Sequence, residues 1–417
     1  MATNNNFKSA HCGNATTNFH RKNEWVFGTW NVRKMNDCKE KEIMNVMKEK
    51  RIKVMGVTET KMKGNGEKVL ANGELYIWSG VEDGNERQGV GVIVSECVKG
   101  CIAGYQRISP RILVVKFKIN SLKLFLVTCY APVDSECMEV RMSFWNELNA
   151  VVHERKNNEN IVILGDMNGW IGAQRDECLK IIGPGGRGVV NDNGRHLIAL
   201  CAEHSLFAPN TWFRHKDVHL YTRQIVGSRT IIDYICVDER LRGAVRDSRV
   251  YRGPEIGSDH YLLCAKIMIG EVRKKKRKKK VRKPRIKVES LSDENVKVKY
   301  KSEIQKKLSV NELEKNVNEK DIESMWKFMK EGMIECARKV CGETKGGRLK
   351  GDAWWNAKVK EAVKVKKECY KKWLNDRNDR KLEDEYKIAK RMAKNVVYES
   401  KANEQRKIDE KMNRSFT

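Results

Sequence analysis

Residues 161–168, Ile-Val-Ile-Leu-Gly-Asp-Met-Asn, constrain this chain more than any other stretch. Four apolar residues, β-branched except Leu164, form a short buried-strand signal that Gly165 ends. A carboxylate, Asp166, and an amide, Asn168, follow at once. With one residue between them on extended backbone, the two side chains point the same way. A strand end that carries an acid and an amide can hold water, metal or phosphate. The rest of the chain is read for strands that end alike.

The six prolines all lie at or before Pro284, and 25 of the 30 glycines at or before Gly270, so turns belong to the first part of the chain. That part alternates β-rich runs with amphipathic ones. Strands are expected at 25–30, 53–58, 76–79, 89–95, 112–119, 122–130, 161–164, 231–237 and 261–269. Helices are expected at 39–50, 136–154 and 193–204. This describes an α/β (α+β) domain over 25–270 with enough strands for two sheets. A disordered N-terminus is expected at 1–24, a basic linker at 271–290 and a helical tail at 291–417. In the tail, Trp355, Val359, Val363, Tyr370, Trp373 and Leu374 fall near one helical face, and the expected outcome is a helical pair packed on itself.

Charge narrows the partner. Lys and Arg number 83 against 55 Asp and Glu, a net +28. Residues 271–417 hold 45 basic and 25 acidic residues, net +20, and residues 273–280 are all basic. Such a surface suits a polyanion, because contacts with phosphates release counterions. The expected partner is a nucleic acid, and the basic tail leaves RNA open as one of its forms. The basic run also suits nuclear import, so the expected location is the nucleus, or the cytoplasm with import. Thirteen cysteines without a CxxC pair argue for buried thiols and not a disulfide frame. No apolar run reaches membrane length, so no membrane partner is expected; oligomeric state is left open.

Other polar residues mark further strand ends. Asn31 ends the first strand in Gly-Thr-Trp-Asn-Val-Arg, Glu59 follows the second, and Tyr130 opens a Tyr-Ala-Pro turn. Asp233 sits in Ile-Asp-Tyr-Ile, and Ser258, Asp259 and His260 stand in Gly-Ser-Asp-His before the last strand. In this order and spacing, with Gly-Asp-Met-Asn between them, these phrases resemble the exonuclease–endonuclease–phosphatase superfamily. Within it they look like the apurinic-type endonuclease of non-LTR retrotransposons of the RTE group. The likeness runs from about residue 25 to 269.

The resemblance implies a four-layer sandwich of two packed mixed β-sheets flanked by helices, with the site at one end of the sheets. It implies a Mg²⁺-dependent endonuclease, Mn²⁺ being the alternative ion, that nicks DNA and leaves a 3′ hydroxyl. Glu59 would then be the main metal ligand, with Asn31 supporting metal and phosphate and Asp259 as a further ligand. Asp166 would orient or deprotonate the attacking water, with Asn168 beside it. His260 would meet the scissile phosphate or move a proton, Asp233 would set its tautomer, and Tyr130 would donate to phosphate or leaving oxygen. Thr222 and Ser258 would touch the DNA backbone. Arg223 and Arg229 sit where these nucleases carry a DNA-probing hairpin; a plain surface hairpin is the alternative. Which of His260 and Asp166 is the general base stays open.

Two features depart from that pattern. Arg33 stands where some repair members carry an acid, which argues against dedicated abasic-site repair and moves metal binding onto Glu59. Residues 352–401 resemble the helical connector that precedes a reverse transcriptase, which points to an element fragment. A non-catalytic nucleic-acid-binding protein and a phosphatase on the same fold are the competing readings. His215 and His219 have i, i+4 spacing but lack further ligands at zinc spacing, and glycine-rich 183–188 lacks the Lys-Ser/Thr of a P-loop and reads as a loop near the site.

Overall fold

The structure, a computed structural model, describes residues 24–82, 88–173, 178, 180–225, 227–269, 286–308, 322–343 and 353–413. The chain divides into two compact units, Met1–Arg273 with Asp352–Thr417, and Lys274–Gly351. The N-terminus before residue 24 and the basic run lie outside the described residues.

In the larger unit, β1 (Glu24–Asn31) leads through α1 (Asp37–Lys50) to β2 (Ile52–Thr58), which pairs with β1 in parallel. The side chain of Asn36 caps α1 by accepting from the Lys39 amide, and Arg51 closes it in the left-handed region. β3 (Gly66–Val69), β4 (Leu75–Ser79) and β5 (Val90–Val94) extend this sheet. β6 (Ile102–Ser109), β7 (Ile112–Ile119) and β8 (Leu122–Tyr130) begin the second sheet. α2 (Met138–His153) then crosses to β9 (Glu159–Asp166), parallel to β8. α3 (Asp192–Glu203), β10 (Leu206–Phe207), the hairpin β11 (Arg223–Ile225) and β12 (Ser228–Thr230), β13 (Asp233–Asp238), β14 (Val245–Tyr251) and β15 (Leu262–Met268) complete the domain. The strand orders are β14-β15-β1-β2-β5-β4-β3 and β10-β13-β9-β8-β7-β6.

Each sheet thus holds one parallel pair among antiparallel strands. Three apolar clusters separate four layers. One, around Phe27, Val54, Leu126, Leu164 and Leu263, fills the space between the sheets. Another packs Phe144, Trp145, Leu148 and Leu197 of α2 and α3 on the second sheet, and a third packs Ile43, Met44 and Met47 of α1 on the first. This is the expected sandwich. The nine expected strands are present, and the four others in these two sheets, β3, β6, β10 and β14, are the four sheet edges.

The topology brings the polar residues together. Parallel pairing puts Asn31 and Thr58 at one end of the first sheet, and Tyr130 and Asp166 at the matching end of the second. β13 and β15 run antiparallel to β9 and β1, so their first residues lie at that same end, with Asp233 directly opposite Asp166.

The expected helical tail is divided between the units. In the smaller unit, α4 (Glu294–Lys307) packs on α5 (Ile322–Cys341), burying Cys336 and Cys341, with Lys339 paired to Glu303 at 2.8 Å. α6 (Ala357–Asn375) and α7 (Arg380–Asn413) belong instead to the sandwich unit. They pack on each other as expected, through Val359, Val363, Tyr370, Tyr386, Ala389 and Ala393, and they also dock on the domain. Lys366 is buried at 3.1 Å from both Glu42 and Glu255, Tyr386 donates to Glu255 at 2.7 Å, and Arg377 donates to the Tyr261 hydroxyl at 2.8 Å. Sequence periodicity did not reveal this docking, because its anchor is a lysine.

Candidate active site

The shared end of the sheets opens into a cavity of about 260 Å³ lined by Asn31, Glu59, Tyr130, Asp166, Asn168 and His260, with Arg33, Lys61, Val133, Arg223 and Asp259 at its sides. His260 Nδ1 lies 2.9 Å from Asp233 Oδ2, and its Nε2 lies 3.8 Å from Asp166 Oδ2. All three side chains are buried. With Nδ1 donating to a carboxylate, the imidazole is held in one orientation and Nε2 is left for chemistry.

Backbone and side-chain bonds lock this array. Asp166 accepts from the Asn168 amide at 3.0 Å and from Asn31 Nδ2 at 2.9 Å, so one carboxylate ties the two sheet ends. Gly165 is required behind it, since a Cβ there would stand 1.8 Å from the Cys129 carbonyl oxygen. Asn168 donates to the Ala131 carbonyl at 2.8 Å, and its own carbonyl accepts from Asn191 and Asn193. Trp30 Nε1 donates to the His260 carbonyl at 3.0 Å. Ser258 donates to the Asn31 carbonyl at 2.7 Å and accepts from the His260 amide at 3.1 Å.

Burial pushes the Asp166 carboxyl up to about 7, with the Asp233 charge adding to it and His260 opposing. Burial pulls His260 down, but the charges of Asp233 and Asp166 outweigh it and raise the imidazole to about 9. A carboxyl poised to change charge near neutral pH and an imidazole that stays protonated there therefore stand 3.8 Å apart.

The rim is built on unusual backbone. Arg33, Glu59 and Asn168 have φ of 45°, 51° and 44°, in the left-handed region where non-glycine residues are uncommon and cost energy. Asp259 is held at both oxygens, by Arg33 at 3.3 Å and Arg223 at 2.9 Å. The residue that departs from the repair pattern thus has a partner, and an acid at position 33 would repel Asp259.

A divalent cation of the Mg²⁺ type needs hard oxygen donors. Glu59 fits, lining the cavity with Lys61 at 3.5 Å as its ion-pair partner. Asn31 fits as well, since among the described residues its Oδ1 accepts only from the Arg33 amide, at 3.1 Å. Asp259 fits less well than expected, because arginines occupy both its oxygens. Asp166, Asp233 and His260 also lie within ligand distance of one another, but the short His260–Asp233 hydrogen bond makes them a proton-transfer array first.

Thr222 is corrected outright. It is fully buried, and its hydroxyl accepts the Ile232 and Asp233 amides at 3.1 Å each, so it shapes the start of β13 and does not reach a substrate. Ser258 likewise spends its hydroxyl inside the protein. Arg229 lies on the β11–β12 hairpin, outside this cavity, in a furrow with Arg252 and Arg377. Tyr130 lines the cavity under the Arg111 guanidinium, 5.4 Å from its ring. His215 and His219 are tied to Asp247 and the Val250 carbonyl, and Gly183 and Gly185 donate to Thr211; neither set lines the cavity.

Sequence reasoning missed Glu255. It is 3% exposed, accepts from the Gly257 amide and Tyr386, pairs with the Lys366 ammonium at 3.1 Å, and so braces the loop that carries Ser258, Asp259 and His260. Its one signal was proximity to Gly-Ser-Asp-His. Asn193 was also missed. It bridges Trp145, Pro132 and Asn168, and the polar start of α3 was its cue.

The model of the Endonuclease/Exonuclease/phosphatase family matches residues 28–260. Craniofacial development protein 2 of Bos taurus is 33% identical over 251 residues, which are 60% of this chain and 42% of that protein. The match thus spans less than half the length of this relative. Among solved structures, the endonuclease domain of TRAS1, a telomere-specific non-LTR retrotransposon, is 15% identical with a TM-score of 0.43, covering 59% of this chain and 99% of that one. The catalytic domain of Xenopus laevis APE2 is 14% identical with a TM-score of 0.46, covering 60% and 93%. No described helix is long and apolar enough to cross a membrane.

Proposed function

This chain belongs to the Endonuclease/Exonuclease/phosphatase family, and on that premise we propose that it is a divalent-metal-dependent DNA endonuclease, of retrotransposon origin, that nicks one strand and leaves a 3′ hydroxyl. The observation that carries the reading is the buried Asp233–His260–Asp166 array at the floor of a cavity whose sides carry Arg33, Lys61 and Arg223. Cations at the mouth suit a phosphodiester, and the array beneath them suits proton transfer at phosphorus.

Asp166 accepts a proton from a water placed beside it. The water oxygen forms a bond to phosphorus as the bond to the 3′ oxygen breaks; the phosphate stays on the 5′ side, and the 3′ oxygen takes a proton from solvent water to leave as the 3′ hydroxyl, while Asp166 returns its proton to solvent. His260, charged and fixed through Nδ1, directs Nε2–H at a phosphate oxygen. Asn168 and Tyr130 line the same cavity and hold the phosphate. Mg²⁺ or Mn²⁺ bound by Glu59 and Asn31 would supply positive charge toward the phosphate and the leaving oxygen.

The test is supercoiled plasmid incubated with Mg²⁺ or with EDTA, with Asp166→Ala protein alongside. The expected result is relaxed circles with Mg²⁺ only, no nicking by the variant, and nicks that a DNA polymerase extends. Equal nicking by folded Asp166→Ala protein would overturn the assignment. Release of phosphate from a 3′-phosphorylated oligonucleotide without nicking would favour the phosphatase reading, and DNA binding without hydrolysis the non-catalytic one.

A further inference from the structure

A second cavity, of about 380 Å³, opens beside the first and shares Arg33 and Asp259 with it. One wall comes from the β11–β12 hairpin and the Gly257–Ser258 turn. The other comes from the helical pair α6–α7, through Trp373, Arg377 and Lys390 among others. On the far side of the β-hairpin a third furrow repeats the pattern, with Arg229, Arg252 and Arg377 in its walls. Arg377 is common to both furrows, so basic side chains recur from Arg33 past the helical pair, with Asp259, Glu383 and Asp376 as the acids among them.

We infer that α6–α7 is a wall of the substrate groove, and that the phosphate backbone of DNA flanking the scissile bond runs from the catalytic cavity between the β-hairpin and this helical pair. The inference rests on the nuclease reading above and adds a segment outside the matched residues 28–260. Three observations support it. The helical pair is held in place by the buried Lys366 and by the Tyr386–Glu255 bond, so the groove is preformed. Lys390 is exposed and makes no ion pair within 4 Å among the described residues; its charge helps hold the Glu255 carboxyl down, and a Cβ on Gly257 would stand 3.2 Å from its ammonium. Glu383, the acid in the wall, is neutralised by Lys387 at 2.9 Å.

The contacts are to backbone and not to bases. Trp373 stacks on Tyr386 at 5.3 Å and carries the Arg377 guanidinium 3.9 Å from its ring, so its faces are already used inside the protein. Cations on such a wall add affinity without sequence information.

The test uses the full chain, with Lys390→Glu set against Lys407→Glu. Lys407 is exposed on the same helix, roughly 25 Å further along at 1.5 Å per residue. Binding of a fluorescent 30-base-pair duplex in EDTA is measured across a salt series, and plasmid nicking in Mg²⁺ is measured separately. For Lys390→Glu, affinity near 100 mM salt should fall about tenfold and the slope of log affinity against log salt should flatten by about one contact. The nicking defect should lie in KM more than in kcat, and Lys407→Glu should leave both readouts alone. If wild-type protein binds and nicks DNA but Lys390→Glu matches it in affinity and slope, the groove assignment fails and the nuclease reading stands. If wild-type protein neither binds nor nicks, both fail.

Discussion

Lys366→Met tests the docking of the helical pair. The Lys366 ammonium is buried 3.1 and 3.2 Å from the two carboxylate oxygens of Glu42 and 3.1 Å from one of Glu255, and those acids are 2% and 3% exposed. At an effective dielectric constant near 20, a unit-charge pair at 3.1 Å attracts by roughly 5 kcal/mol, and desolvating three charges offsets much of the sum. The larger effect comes from removing one member, which leaves buried charge unpaired and costs about 3–5 kcal/mol. Glu42 keeps Lys367 at 3.6 Å, while Glu255 keeps hydrogen bonds from Tyr386 and the Gly257 amide and the more distant charge of Lys390, so the expected loss is about 3 kcal/mol. Urea unfolding at pH 7 reads it. Lys366→Met with Glu255→Gln should regain at least half, because the orphan charge is gone. Glu255 also sets the pH dependence. Burial raises its pKa, but Lys366 and the Tyr386 hydroxyl outweigh that and hold the folded value below the ordinary 4.5. In wild type its contribution is therefore present above that range and lost as pH falls through the lower folded value. In Lys366→Met protein the deficit should shrink on acidification, as Glu255 takes up a proton. A loss under 1 kcal/mol at pH 7, with no recovery in the double variant, would refute a buried, interdependent cluster.

Alanine at Asp166, Asp233 or His260 should lower nicking by about 10²–10⁴-fold, with double variants adding little, as single-turnover rates on folded proteins will read. The pH profile of kcat/KM should rise through about 7 as Asp166 ionises and fall through about 9 as His260 loses its proton, and His260→Gln should remove the alkaline limb. Brief trypsin treatment should cut first in the 273–285 run, and the fragment carrying α6 and α7 should still co-elute with the β-sandwich on gel filtration, which Lys366→Met should abolish. Removing residues 273–280 should flatten the salt dependence of DNA affinity and leave the pattern of nick sites on one DNA unchanged.

The sequence by itself determined the sandwich and the residues of its active end. Interior strands such as β1, β8 and β9 are buried on both faces, so they are written as continuous apolar runs that end abruptly in Asn31, Tyr130 and Asp166. Edge strands carry no such signature. In β14, Arg246 and Arg249 face outward between buried positions, and β6 alternates partly exposed residues, so the sheet edges became visible only once their neighbours were in place. Tertiary structure also decided roles that residue type alone left open. Thr222 became a brace because its hydroxyl met two amides, and Asp259 became an arginine bridge because Arg33 and Arg223 converge on it from different strand ends. The docking of α6–α7 is the plainest case. A lysine on a polar helix reads as solvated, and only the approach of Glu42 and Glu255, 324 and 111 residues earlier in the chain, turns its charge into an anchor beside the active site.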